Sequence, residues 1–154
     1  MCMFYLSQRD KLWADAKLGA SNLTCGSYGC TSTSLSMLSS YFGCYKSPLE
    51  IAHNAHNYTP DGLVIWKNLS FNKMKFDRRA YSFERLEVIK ALRDSDRAVL
   101  LEVQLGKGRH WLAGVKYDIF GRIIAVDPWL LPAQKVDILK KYGVITGAAY
   151  FSRK

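Results

Sequence analysis

The chain has 154 residues, 49% of them hydrophobic and 23% charged, and its formal net charge is +9 at pH 7. This length and composition predict a single globular domain over residues 1–154, and the lack of an apolar run of about 18 residues argues against a membrane span. The N-terminus has neither a basic segment nor a long apolar segment, so we expect no signal peptide and a protein that is cytoplasmic or delivered by a particle such as a virion or toxin.

The basic charge suits an anionic partner, such as nucleic acid, an acidic membrane face or an anionic cell-wall polymer. The basic residues are dispersed, however, and Arg78-Arg79 and Lys140-Lys141 are only pairs. No run reaches the five or six like charges of a basic tail. We therefore favour a solvated basic surface, with an anion-binding face as the alternative, and we do not expect nucleic-acid binding because no recognised motif for it is present.

The first half of the chain is predicted to be mostly helical. Repeated glycines predict a loop up to Gly29, and the apolar side chains that follow predict a helix over residues 30–41. The motif Ser47-Pro48-Leu49-Glu50 provides a capping box and a proline suited to the first helical position. The helix that it starts should run to about Asn57.

Residues 59–62 predict a turn, and the apolar residues between positions 63 and 69 have helical spacing. Ser82 is the predicted start of a further helix. Four apolar side chains should share one face of that helix: Phe83, Leu86, Ile89 and Leu92.

The second half of the chain is predicted to be rich in strands. Residues 98–103, 110–117 and 122–126 are apolar or loosely alternating runs, and residues 118–121 can form the hairpin turn between the last two. A tail strand over residues 144–151 completes the pattern. The expected architecture is α+β, with a helical lobe packed on an antiparallel sheet.

Cys30 is the candidate nucleophile among four cysteines. A thiol reacts as its thiolate, and a helix N-terminus or a nearby imidazolium lowers the pKa of a cysteine below its free value of about 8.5. Cys30 begins the predicted helix, and Gly29 before it would leave room for a substrate backbone. The N–H groups of the first helical turn could also hold an oxyanion. Cys25, between two loop segments, ranks a distant second.

No metal or cofactor is expected. The cysteine spacing matches no CxxC zinc pattern, and the thiols should be reduced in the absence of a signal peptide. His53 and His56 could share one face of a helix, but no third ligand is evident, so a solvated helix face is favoured.

His110 and Asp127 are the candidate partners of this thiol. His110 starts a predicted strand after the loop Gly-Lys-Gly-Arg, and Asp127 ends the next strand before Pro128-Trp129. If the two strands form a hairpin, Asp127 returns close to His110, where a carboxylate would fix the tautomer of the imidazole. Taken singly, His110 could be structural and Asp127 could mark an ordinary strand-ending turn.

Together these residues give a resemblance to papain-like cysteine peptidases, above all to the group that contains the double-glycine leader peptidases of bacteriocin exporters and their free-standing relatives. The resemblance covers nearly the whole chain. The matching elements are Ser7-Gln8, Tyr28-Gly29-Cys30 with the helix that bears Met37, Gly62 with Trp66, His110-Trp111, and Asp127-Pro128-Trp129. It implies a papain-like fold with Cys30 as nucleophile, His110 as general base and acid, Asp127 as orienting residue, and Gln8 as a contributor to the oxyanion hole.

Two departures from the family pattern bear on the substrate. Thr31-Ser32 follows the cysteine where such enzymes often carry Gly-Pro or a similar small pair. No transporter domain is attached, so leader processing during export is not expected.

The sequence thus predicts a thiol hydrolase that cleaves an amide bond through an acyl-enzyme. Its substrate would be a protein or the peptide of the bacterial cell wall, and the enzyme could be encoded by a phage or a toxin system. The alternative is an inactive papain-like module that serves as a structural or binding component of a larger assembly, such as a virion.

Overall fold

A computed structural model describes residues 2–154 and has an α+β architecture built on one six-stranded sheet. The strands are β1 (Met74–Ala80), β2 (Arg97–Leu105), β3 (Gly108–Tyr117), β4 (Ile123–Asp127), β5 (Gln134–Asp137) and β6 (Ile145–Arg153). Their order across the sheet is β1-β6-β2-β3-β4-β5, and every neighbouring pair is antiparallel. The predicted fold class and antiparallel sheet are therefore confirmed.

Helices cover both faces of this sheet. They are α1 (Cys25–Tyr28), α2 (Cys30–Tyr41), α3 (Pro48–His53), α4 (Arg85–Arg93) and α5 (Ile138–Tyr142). Side chains alternate between the two faces along β2, so that Leu100 packs in the core on the α2 side, whereas Val99 and Leu101 pack in the core with α4 and α5. This double burial explains why β2 is a nearly continuous apolar run in the sequence.

Helix α2 has the predicted bounds and passes through the interior, with residues 31–40 all buried. A helix so rich in serine can be buried because its hydroxyls find acceptors. Ser34, one turn beyond Cys30, donates to the backbone oxygen of Trp111 on β3 at 3.2 Å. This bond ties the helix that carries the thiol to the strand that carries His110.

Helix α3 begins at the predicted capping box, in which Ser47 and Glu50 satisfy each other's backbone N–H groups. It ends at His53 rather than near Asn57, because Asn54 is extended and its side chain caps a separate 3-10 turn. His53 and His56 therefore do not share one helix face, contrary to the interpretation from the sequence.

Other boundaries also differ from the prediction. Helix α4 begins at Arg85 rather than at Ser82, and the short helix α1 occupies part of the predicted loop before Gly29. The segment 63–69, which has helical spacing, contains only a 3-10 turn over Trp66–Asn68.

The sequence did not reveal β1 and β5. Each is an edge strand that pairs with one neighbour, and both carry several exposed polar or charged residues. Edge strands bury too little of their surface to leave an apolar alternation in the sequence.

None of the helices within residues 2–154 combines the length and apolar character needed to cross a membrane. In the same described span, no three His, Cys, Asp or Glu side chains come together as a metal site.

Candidate active site

Cys30 is the first residue of α2, and a single residue, Gly29, separates it from α1. Gly29 has a negative φ of −89°, so its role is steric rather than conformational. A Cβ there would lie 2.6 Å from the Cys25 sulfur and would also overlap the Cys25 carbonyl oxygen. The close approach that the structure shows at this glycine is to Cys25.

Cys25 lies beneath this junction and is not exposed to solvent. Burial raises the pKa of its thiol to about 11, against the opposing hydrogen bond with Thr33. A thiol with this pKa carries little thiolate at neutral pH, so Cys25 is unsuited to nucleophilic attack. All four cysteines are free, and Cys30 is partly exposed.

His110 and Asp127 meet as the hairpin prediction required. Strands β3 and β4 are antiparallel neighbours, and His110 Nε2 lies 2.8 Å from Asp127 Oδ1. Both side chains are buried, with 4% of the His110 side chain and 0% of the Asp127 side chain exposed. A buried pair of this geometry fixes the orientation of the imidazole ring.

The Asp127 carboxylate receives three further hydrogen bonds. Its Oδ1 accepts the backbone N–H of Trp129 at 3.0 Å, and its Oδ2 accepts Lys141 Nζ at 2.8 Å and the Tyr142 hydroxyl. Burial disfavours a charge at this position, but the hydrogen bonds from His110, Lys141 and Tyr142 outweigh it and hold the pKa of Asp127 well below its usual range. Asp127 is therefore a permanent anion at neutral pH.

His110 is correspondingly shifted toward its charged form. Burial alone would lower the pKa of the imidazole, but the hydrogen bond with Asp127 and the interaction with the Cys30 thiol raise it to about 9. At neutral pH the ring is thus an imidazolium. An imidazolium next to a cysteine is the usual partner of a reactive thiolate.

Two cavities open onto Cys30. The smaller, of about 250 Å³, brings Cys30 together with His110 and Gln8. The larger, of about 340 Å³, extends from Cys30 toward Trp66 and Trp111. Tyr28, Cys30 and Arg109 line both cavities. A substrate at Cys30 could therefore occupy either cavity.

Gln8 is buried at the edge of the smaller cavity, where its backbone N–H donates to the Pro128 carbonyl at 2.8 Å. Its Nε2 donates to the Gly26 carbonyl at 3.1 Å, while Oε1 is buried and has no hydrogen-bond partner among residues 2–154. A primary amide carries two N–H bonds, so the second one remains for a ligand. In the first turn of α2, the N–H of Thr33 donates to the Gly29 carbonyl at 2.9 Å, whereas the N–H groups of the first three residues have no acceptor within the helix.

The structure thus brings together all four site residues predicted from the sequence. It adds Lys141 and Tyr142, whose contacts with Asp127 had no signal in the sequence because α5 was not predicted. It also adds Arg79, which lines the larger cavity and forms a 2.8 Å ion pair with Glu102.

No protein-family model matches the chain, and no curated protein matches it either.

Proposed function

We propose that the chain is a papain-like thiol hydrolase that cleaves an amide bond through an acyl-enzyme. The observation that carries the proposal is the junction of Cys30, Gln8 and His110 at one cavity, with the buried Asp127 holding His110 from behind. The papain-like assignment is supported by a helix that presents the thiol and a sheet that presents the imidazole and the carboxylate.

In the proposed reaction, His110 transfers one proton in each of the two halves. The Cys30 thiolate attacks the amide carbonyl carbon and forms a tetrahedral oxyanion, toward which Gln8 and the first N–H groups of α2 would donate. The C–N bond then breaks, and the leaving amine takes a proton from His110. In the second half, His110 accepts a proton from water as the water oxygen attacks the thioester carbon. Cleavage of the C–S bond then releases a carboxylic acid and restores the Cys30 thiolate and the His110 imidazolium.

The two cavities that open onto Cys30 together form a cleft, and a peptide chain is the substrate class that best suits it. Exposed apolar side chains border it, with Tyr28 60%, Leu63 65%, Tyr81 81% and Trp129 42% exposed. Such side chains can pack against an extended chain on either side of the thiol. The substrate would be a protein or the peptide of a bacterial cell wall, and the net charge of +9 suits the anionic surface of such a wall and delivery by a virion or toxin particle.

Thiol labelling tests the proposed nucleophile without knowledge of the substrate. We expect iodoacetamide near neutral pH to alkylate Cys30 faster than the exposed Cys2, and Cys25 to react slowest, as measured by mass spectrometry of digested protein. His110→Ala should slow labelling at Cys30 and leave Cys2 unchanged. Equal and slow reaction of Cys30 and Cys2 would instead favour an inactive structural or binding module.

Hydrolysis assays test the reaction itself. Release of peptides from a labelled protein and release of amino groups from purified peptidoglycan should be measured in parallel. Cys30→Ser should lower the rate of hydrolysis of whichever substrate is cleaved by at least about 10⁴-fold. Cys25→Ser should remain active, with unchanged labelling at Cys30. Retained turnover in Cys30→Ser would overturn the assignment of the nucleophile.

A further inference from the structure

We infer that Arg109 binds a substrate carboxylate beside the scissile amide and so makes the enzyme selective for acidic substrates. This inference rests on the proposed function, because it assigns a substrate class to the same cleft.

Arg109 borders both cavities of the cleft. It is the residue before His110 on β3, it is exposed, and it lines both of the cavities that Cys30 lines. A substrate that occupies either cavity would therefore lie next to Arg109. A charge at this position can therefore act on groups close to the bond that is cleaved.

The positive charge of Arg109 is not neutralised by the protein. Its guanidinium donates to the Gln104 side-chain oxygen across the β2–β3 hairpin, which is an uncharged acceptor. No carboxylate lies within 4.0 Å of Arg109 among the residues that the structure describes. The contact with Gln104 thus leaves the charge of the guanidinium available.

Arg79, the other arginine that lines the cleft, differs from Arg109 because its charge is paired. Arg79 lines the larger cavity, but it forms its ion pair with Glu102 at 2.8 Å, and the two side chains are only 11% and 9% exposed. Its guanidinium also lies against Trp111, 4.6 Å from the ring centre. Arg79 is therefore a paired, structural part of the cavity wall.

The charges that line the two cavities leave an excess of positive charge. Glu102 is the single carboxylate in the two linings and is paired with Arg79. Arg109 remains unpaired, whereas the His110 imidazolium is paired with Asp127. A guanidinium recognises a carboxylate through two parallel, charge-assisted hydrogen bonds, so a carboxylate is the ligand chemistry that this site would select.

The carboxylate can come from an acidic side chain or from a free C-terminus, and a matched set of peptides separates these sources. The cleavage site is first mapped by mass spectrometry on a mixed peptide pool. Quenched fluorescent peptides are then made with Glu or Gln beside the scissile bond, each as the free acid and as the C-terminal amide. The values of kcat/KM should be about tenfold or more higher for the substrate that carries the recognised carboxylate, as expected for a charged hydrogen bond.

The variant Arg109→Gln should bring this acid-to-amide ratio close to one. Lys107→Gln is the matched control, since Lys107 is an exposed positive charge on the same hairpin and lines neither cavity. The control should retain the ratio. No preference in the wild-type protein, or a preference that survives in Arg109→Gln, would overturn the inference.

A binding measurement separates this inference from the proposed function. Fluorescence anisotropy of the same labelled peptides with Cys30→Ala should show tighter binding of the acidic member and loss of that difference on adding Arg109→Gln. Absence of hydrolysis by the wild type would defeat the proposed function, whereas equal binding of the acidic and amide peptides would defeat the role of Arg109.

Discussion

At the scale of single residues, Asp127 controls the charge state of the site. Its carboxylate contacts His110 through Oδ1, and Lys141 and Tyr142 through Oδ2. Because one oxygen faces the imidazole and the other faces α5, the carboxylate cannot rotate without breaking several bonds. The elevated pKa of His110, about 9, depends on this arrangement.

Asp127→Asn should lower the pKa of His110, because the opposite charge beside the imidazole is lost. An effect of about one to three pH units is expected for removal of such a charge. An NMR titration of the His110 ring would measure it directly, and the alkaline limb of the kcat/KM profile should move to lower pH with it.

Tyr142→Phe is the control for this prediction, because it removes one hydrogen bond from Asp127 and keeps the negative charge. Its effect on the His110 titration should be much smaller. Equal titration curves for the wild type and Asp127→Asn would contradict an electrostatic role for the carboxylate.

The junction of α1 and α2 positions the thiol at the scale of secondary-structure elements. Gly29 lets the turn of α1 pack directly beneath the first turn of α2, and the bond from Ser34 to Trp111 fixes the helix against β3. The thiol and the imidazole are thus held by two elements that are themselves bonded to each other. Local capping side chains contribute nothing here, because Gly29 has none.

Gly29→Ala should destabilise the protein by about 1 to 3 kcal/mol, as overpacking of a close contact does, and should slow alkylation of Cys30. Thermal unfolding and the labelling rate are the measurements. Gly108→Ala is the matched control, because a Cβ at that position would have no neighbour closer than 3.8 Å. Unchanged stability and labelling in Gly29→Ala would show that the junction tolerates a side chain.

At the scale of the whole molecule, folding stability should depend on pH through the His110–Asp127 pair. The pKa of His110 rises from 6.5 to about 9 on folding, so its stabilising contribution is complete below about 6.5 and is lost as the pH rises through 9. The lowered pKa of Asp127 acts in the opposite direction, and its contribution is lost as the pH falls below its usual range. Maximal stability from the pair therefore lies between these limits.

Denaturant unfolding should reveal a decline in stability between pH 6.5 and pH 9. Its upper limit lies between about 3 and 4 kcal/mol, since the pKa of His110 rises from 6.5 to about 9 and each pH unit corresponds to about 1.4 kcal/mol. Because other groups titrate in the same range, the comparison is with His110→Asn, which should lack this component. Parallel curves for the two proteins would argue against the ion pair as the cause.

Much of this molecule followed from the sequence because the signals were local. The bounds of α2 came from its apolar spacing and the glycines around it, and the start of α3 came from its capping box. The contact between His110 and Asp127 could be predicted because one hairpin joins them. The end of α3, by contrast, depended on a cap at Asn54 that competed with continuation of the helix.

The sequence by itself determined the α+β class and the principal strands, since these depend on periodicity and turn chemistry. Its motifs predicted Cys30, His110 and Asp127 as site residues, and the resemblance to papain-like peptidases added Gln8. The tertiary structure alone decided what surrounds them. Lys141 and Tyr142 reach Asp127 from a short helix that carries no sequence signal, and Arg109 is left without a carboxylate while Arg79 is paired. Such contacts join residues that are distant in the chain, and the packing that creates them has no local pattern to predict it.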